Sequence, residues 1–265
     1  MLHYPGFDPI ALELGPLKIR WYGVMYLIGF LAGWMLARLR AKQPGSTWRA
    51  SDVDDVVFFA MLGVILGGRI GYVLFYGFPY WAKDALYPFR IWEGGMSFHG
   101  GMLGVLVALA IFAVRRGRRV ADVFDFMAPM PGVGLLAGRI GNFINGELWG
   151  KPTTVPWGFS VDGVVRHPSQ LYEAFFEGLV LFAVLWWFTS RPRPRLAPSG
   201  LFLLLYGCSR FLIELVRLPD AHIGYLAGGW LTMGQLLSLP MILVGIVLIA
   251  IAYRQRAPSG NFARD

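Results

Sequence analysis

Apolar residues gather in seven long runs, at roughly 17–38, 53–76, 97–114, 122–145, 168–189, 199–216 and 229–253. Each approaches the ~20 residues that an α-helix needs to cross the hydrocarbon core of a bilayer. The pattern predicts an all-α integral membrane protein with about seven transmembrane helices, forming one domain over residues 1–265. The fourth run contains Pro129, Pro131, Gly132, Gly134 and Gly138, which predict a broken or kinked helix. Membranes tolerate such a break where protein or a wet cavity re-satisfies the backbone. The stretches 77–96 and 146–167 predict a small extracytoplasmic cap, with Trp81, Trp92, Trp149 and Trp157 as interfacial anchors. Because the segment between Gly150 and His167 is short, its own share of that cap is expected to be minimal.

Composition agrees with a bilayer as the solvent: 56% of residues are hydrophobic and 15% charged. The net charge of +8 does not signal a nucleic-acid partner, because the cations sit in short clusters between the apolar runs. Arg38, Arg40, Lys42, Arg49, Arg115, Arg116, Arg118, Arg119, Arg191, Arg193, Arg195, Arg254, Arg256 and Arg264 fall on one side. Lys18, Arg20, Lys83, Arg90, Lys151, Arg166 and Arg217 fall on the other. The richer side is expected to be cytoplasmic, which puts the N-terminus outside and the C-terminus inside. Met1 to Pro16 carries no Lys or Arg, so the start lacks the basic region of a signal peptide and the first run is expected to remain as a helix. Cys208 is the single cysteine; it excludes an intrachain disulfide and is expected to be a packing residue.

Three arginines lie within apolar runs: Arg69, Arg139 and Arg210. Even lenient insertion scales charge ~2.5–3.5 kcal/mol for an arginine at the centre of a membrane helix, so each is a candidate functional group. For Arg69 a structural role, pairing or snorkelling, weighs equally. The predicted topology brings these arginines to the outer half of helices two, four and six. Tyr22, Tyr26, His99, His167 and Glu173 fall near the outer ends of helices one, three and five. Arg210, Glu214 and Arg217 have i, i+4, i+7 spacing, so one carboxylate can reach both cations. Glu173 and Glu177 share a face at i, i+4, which leaves one of them neutral or paired with an arginine of helix four. Guanidinium groups at headgroup depth suit a phosphodiester. With a histidine and tyrosines beside them, they point to chemistry on a phospholipid.

The densest polar run is Gly138-Arg139-Ile140-Gly141-Asn142-Phe143-Ile144-Asn145-Gly146-Glu147-Leu148-Trp149-Gly150. It resembles the signature of the prolipoprotein diacylglyceryl transferase family. Further matches, in the family's order, are Arg20-Trp21-Tyr22-Gly23, Gly67-Gly68-Arg69-Ile70-Gly71-Tyr72, Ser97-Phe98-His99-Gly100-Gly101, His167-Pro168-Ser169-Gln170-Leu171-Tyr172-Glu173 and Arg210-Phe211-Leu212-Ile213-Glu214.

The resemblance implies a bacterial inner-membrane enzyme that moves the sn-1,2-diacylglyceryl group of phosphatidylglycerol to the lipobox cysteine of a prolipoprotein, releasing glycerol 1-phosphate. Its partners would be phosphatidylglycerol, the signal peptides of prolipoproteins and the bilayer itself. It implies no metal or organic cofactor, and the attacking thiol belongs to the substrate. By motif match, Arg139 and Arg210 are expected to stabilise the leaving phosphate, and His99 is the candidate base, with a hydrogen-bonded helix-start histidine as the alternative. Tyr22 is expected to be catalytic through orientation. Arg139, Arg210, Tyr26, Asn142, Glu147, Gly150 and Glu214 are expected to bind the lipid, with Gly150 shaping the loop. His167 is expected to be structural, ahead of Pro168.

Other classes fit less well. A lipid transporter or flippase needs polar residues along a path to the cytoplasmic side, where the sequence offers little beyond Asp54-Asp55 and Asp122/Asp125 at helix starts. An intramembrane protease using Ser169 lacks the G-x-S-x-G elbow.

Overall fold

The computed structural model describes residues 2–15, 17–219 and 224–263. Arg264, counted above with the cytoplasmic cations, and Pro16 lie outside the described residues. In chain order the elements are β1 (Leu2–His3), β2 (Ile10–Leu14), β3 (Leu17–Arg20), α1 (Trp21–Ala41), α2 (Ala50–Phe75), α3 (Phe78–Trp81), α4 (Phe98–Arg115), α5 (Val120–Met127), α6 (Met130–Ile144), β4 (Phe159–Val161), β5 (Val164–Arg166), α7 (Ser169–Phe188), α8 (Ala197–Ile213) and α9 (Met233–Gln255).

Among the described residues α1, α2, α4, α7 and α9 are long and apolar enough to cross a membrane. The α5–α6 pair makes a sixth span, bent by 45°, and α8 is a further apolar helix. The bend falls between Met127 and Met130, at Pro129, where the fourth run was expected to break. Inside α7 the residues Ala174–Val180 form a π-helical stretch. Such widened turns are rare and frequent at functional sites.

Helix starts and ends depart from the hydrophobic runs where backbone chemistry intervenes. The first run begins as a strand, because Leu17–Arg20 pairs antiparallel with Ile10–Leu14, and the helix starts only at Trp21. The last helix starts at Met233 rather than near 229. Thr232 caps it: its hydroxyl accepts from Gln235 N at 3.2 Å, and Gln235 Oε1 accepts from Thr232 N at 3.0 Å.

The chain divides into two compact units. The first comprises 1–37 and 125–259. Here β1 runs parallel to β4, which pairs antiparallel with β5. The segment between Gly150 and His167 therefore supplies two of three strands of the cap, against the expectation that it would add little; a tight turn at Asp162-Gly163, both with positive φ, lets so short a stretch double back. Trp149 is not an interfacial anchor. It is buried against Tyr4, Phe143 and Phe159 with ring centroids 5.2–5.8 Å apart, and its indole donates to Gly146 O at 2.9 Å. Trp157 is exposed, and its indole donates to the Tyr172 hydroxyl at 2.7 Å. In the same unit Asp125 accepts from Leu196 N, Ser199 N and Ser199 Oγ at 2.6–3.1 Å, closing the start of α8.

The second unit comprises 38–124 and 260–265. Its helices α2 and α4 meet backbone to backbone: a Cβ on Gly63 would lie 2.6 Å from Gly104 O. Small residues that permit such approach are a general device of membrane helix pairs. Trp81 and Trp92 are exposed here, consistent with anchoring. Asp55 pairs with Arg116, and Asp54 with Arg38 at 3.2 Å, so these acids are partnered rather than lining a polar path.

Candidate active site

Arg139 sits on α6, one turn before its end, and Glu173 and Glu177 sit on α7, which packs against it. The packing is close: a Cβ on Gly178 would lie 2.7 Å from Leu136 Cα. Both glutamates are fully buried, which is costly unless cations accompany them. Three do. Glu173 Oε2 meets Arg139 Nε at 3.1 Å, while its Oε1 meets Arg210 Nη1 at 2.5 Å and Arg217 Nε at 3.3 Å. Glu173 is thus the hub that joins α6, α7 and α8. The expected pairing of an α7 carboxylate with the helix-four arginine is present, and it extends to two further arginines.

Glu214, the residue that ends α8, takes Arg210 Nη2 at 2.7 Å and Arg217 Nη1 at 2.9 Å, as the i, i+4, i+7 spacing predicts. Glu177 is looser, 3.9 Å from Arg139 and 3.7 Å from Arg210, and neither of its oxygens has a hydrogen-bond partner among the described residues. Three arginines therefore face three glutamates. The carboxylates are buried, but the side chains of Arg139 and Arg210 remain 20% and 16% exposed. Each side chain therefore stays partly accessible.

A second chain of contacts leads from Arg139 into the loop after α6. Arg139 Nη1 donates to Asn142 Oδ1 at 3.4 Å, and Asn142 Nδ2 donates to Glu147 Oε1 at 2.7 Å. That loop is strained, with Gly146 and Leu148 both at positive φ. Two buried residues at the start of α7 hold it: Gln170 Nε2 donates to Glu147 O at 2.7 Å and Ser169 Oγ to Leu148 O at 2.6 Å. Tyr4 closes the end of α6, its hydroxyl 2.8 Å from Ile144 O and 3.0 Å from Phe143 O. Tyr22 lies against Gly141, where a Cβ would sit 3.2 Å from its ring, and its hydroxyl is 3.1 Å from that of the exposed Tyr26.

Gly150 is a crossing point of three backbone segments. A Cβ there would lie 2.6 Å from Val216 O and 3.0 Å from His167 O, and its N–H donates to His167 O at 2.9 Å. It pairs with Arg217 in an antiparallel bridge. The missing side chain admits the segment that carries Arg217. His167 is structural in the same sense: its Nδ1 is 3.1 Å from the Tyr172 hydroxyl. The same hydroxyl accepts from Trp157 Nε1. Burial lowers the His167 pKa below its ordinary value of 6.5.

The second unit holds the other two candidates. Arg69 is buried and wholly given to the loop 84–95: it donates to Tyr87 O and Gly94 O at 2.6 Å, Pro88 O at 2.9 Å and Gly95 O at 3.3 Å, beneath the Tyr87 ring. Of its two readings, structure prevails. His99, in the first turn of α4, is exposed, with its ring edge-on to Phe98. It has no hydrogen bond among the described residues, so it is not the tethered helix-start histidine of the alternative reading. It lines one end of an apolar groove of about 780 Å³ along α2 and α4. No group of three His, Cys, Asp or Glu side chains suited to a metal ion occurs among the described residues.

The model of the prolipoprotein diacylglyceryl transferase family matches residues 9–251. The chain belongs to this family. Relatives named phosphatidylglycerol–prolipoprotein diacylglyceryl transferase include those of Oleidesulfovibrio alaskensis, 57% identical over 257 residues with 96% of each chain covered, and Methylococcus capsulatus, 58% identical over 261 residues, covering 97% of this chain and all of the other. That of Coxiella burnetii is 54% identical over 259 residues, covering 97% and 99%. Family membership also makes the chain a multi-pass membrane protein.

Sequence reasoning missed the supports rather than the charged groups. Ser169 and Gln170 stood in a recognised motif without an assigned task, and Thr232 could have been found from the capping signature Thr232-Met233-Gly234-Gln235. Tyr4 gave no sequence signal, since its partners are backbone carbonyls about 140 residues away.

Proposed function

We propose that the chain transfers the sn-1,2-diacylglyceryl group of phosphatidylglycerol to the lipobox cysteine of prolipoproteins, with the Arg139–Glu173–Arg210 cluster as the phosphate site. The observation that carries this reading is a pair of arginines fixed by one buried carboxylate while each side chain stays partly exposed. The substrate thiol gives up its proton, its sulfur bonds to the glycerol C3 of the lipid, and the C3–O bond breaks with its electron pair going to glycerol 1-phosphate. Negative charge grows on that leaving phosphate, and pre-positioned guanidinium donors stabilise it without reorganising. A thiol with a pKa near ~8.5 is mostly protonated at neutral pH, so a base assists. His99 has the exposure and the unoccupied ring nitrogens for this role. Tyr22, Tyr26, Asn142, Glu147 and Glu214 orient the arginines or the lipid. The protein sits in the bacterial inner membrane with its N-terminus outside, its C-terminus in the cytoplasm and the cluster toward the outer leaflet, following the asymmetry of Lys and Arg. Its partners are phosphatidylglycerol and prolipoprotein signal peptides.

The test is mass spectrometry of a lipobox peptide incubated with purified protein and phosphatidylglycerol. The expected result is a diacylglyceryl mass gain on the cysteine with release of glycerol 1-phosphate, slowed on the order of 10²–10⁴-fold in His99→Ala, the usual range for a lost general base. A folded wild type that modifies nothing contradicts the reading, and a fully active His99→Ala removes the histidine from it.

A further inference from the structure

Glu214 is held from behind by the start of the last helix. Its Oε1 faces the two arginines, while its Oε2 accepts a hydrogen bond from Thr232 Oγ1 at 2.7 Å. Both residues are buried, at 3% and 2% exposure. Thr232 is itself locked, as the cap of α9, by its reciprocal hydrogen bonds with the fully buried Gln235. Gly234 brings the first turn of α9 against the same carboxylate: a Cβ there would lie 2.5 Å from Glu214 Cδ and 2.7 Å from Oε1. The positive end of the helix dipole thus backs the carboxylate whose other oxygen grips Arg210.

Arg210 is consequently held by Glu173 on α7 and by Glu214, with Glu177 looser at 3.7 Å, and of these only Glu214 depends on α9. We infer that Thr232 is a positioning residue for the transfer: through Glu214 it sets the plane of the Arg210 guanidinium, with Gly234 leaving room for the carboxylate to sit there. The inference rests on the reading of Arg210 as a phosphate-stabilising group. Neither Thr232 nor Gly234 is expected to touch lipid or peptide. Removing the Thr232 hydroxyl leaves Glu214 Oε2 buried without that donor and free to turn, which misaligns Arg210 where charge develops rather than where substrate first binds.

The experiment is steady-state kinetics of lipobox-peptide modification with phosphatidylglycerol, for full-length Thr232→Val, Thr232→Ser and Arg210→Lys, and for Thr232→Val combined with Arg210→Lys. The thermal midpoint of each is followed. The expected result is a kcat about tenfold lower in Thr232→Val with KM for the lipid within about threefold of wild type. Thr232→Ser restores kcat, and the two substitutions combine non-additively, because they act on one group. Unchanged kcat in Thr232→Val overturns the inference. So does a loss that Thr232→Ser fails to restore, or one that adds independently to Arg210→Lys, since either marks a general structural role. A wild-type rate in Arg210→Lys, and in Arg210→Ala measured beside it, would instead sink the reading of Arg210 on which this stands.

Discussion

Arg69 and Arg139 are the same residue type in apolar helices, yet their partners separate them. Arg69 spends its donors on four backbone carbonyls of one loop, whereas Arg139 shares carboxylates and stays partly exposed. Spacing along the chain cannot make that distinction, because the loop carbonyls leave no side-chain trace; this is why both arginines were legible as buried charges while the two readings of Arg69 stayed level. His167 shows the same limit with a pH consequence. Burial holds its pKa below 6.5, so the folded protein binds fewer protons there than the unfolded chain. Its contribution is present above about pH 6.5 and is lost as pH falls below that value. The thermal midpoint is therefore expected to fall between pH 7.5 and pH 5.5, and to fall less steeply in His167→Gln. Equal slopes in the two proteins would show that the ring does not titrate against stability.

At the scale of elements, the hydrophobic runs located, among the described residues, the five long spans, the bent α5–α6 pair and the shorter α8, because burial in lipid imposes length and apolarity on each span. Polar embellishments were not legible in this way. The chain after α9 reads as a short basic end, but in the second unit it is a built part of the fold. Asn261 is buried, accepting from Trp48 Nε1 and donating to Asp122 O, both at 2.8 Å. Gly260 N donates to Asp122 Oδ1 at 3.0 Å, Thr47 Oγ1 donates to Gly260 O at 2.7 Å, and Arg118 covers the Trp48 ring at 4.3 Å. Substituting Asn261 with Ala leaves a buried donor and a buried acceptor without these partners, at ~1–3 kcal/mol each. The expected outcome is a thermal midpoint lower by several degrees with kcat retained at permissive temperature, measured on purified protein. A midpoint equal to wild type would show the tail to be dispensable.

Across the whole molecule, charges that each cost free energy in an apolar solvent are collected where they neutralise one another. Arg139, Arg210 and Arg217 balance Glu173, Glu177 and Glu214 over three helices that are far apart in sequence; spacing showed the pairs around Glu214 and one option for an α7 carboxylate, its pairing with helix four, but not the links from Glu173 to Arg210 and Arg217. The family's motifs located the rest. Ser169 and Gln170 bind backbone carbonyls and so had no chemical signature of their own, while Thr232 carried only the signature of a helix cap and none of its bond to Glu214. The claim that this cluster carries the transfer is tested most directly by the rate of lipobox-peptide modification from phosphatidylglycerol in Arg139→Ala and Arg210→Ala, each confirmed folded by its thermal midpoint. The account predicts that each loses on the order of 10²-fold or more in kcat/KM, the scale of one lost transition-state donor. Rates within about threefold of wild type in both variants would contradict it, since a change that small leaves under ~1 kcal/mol for either arginine to contribute.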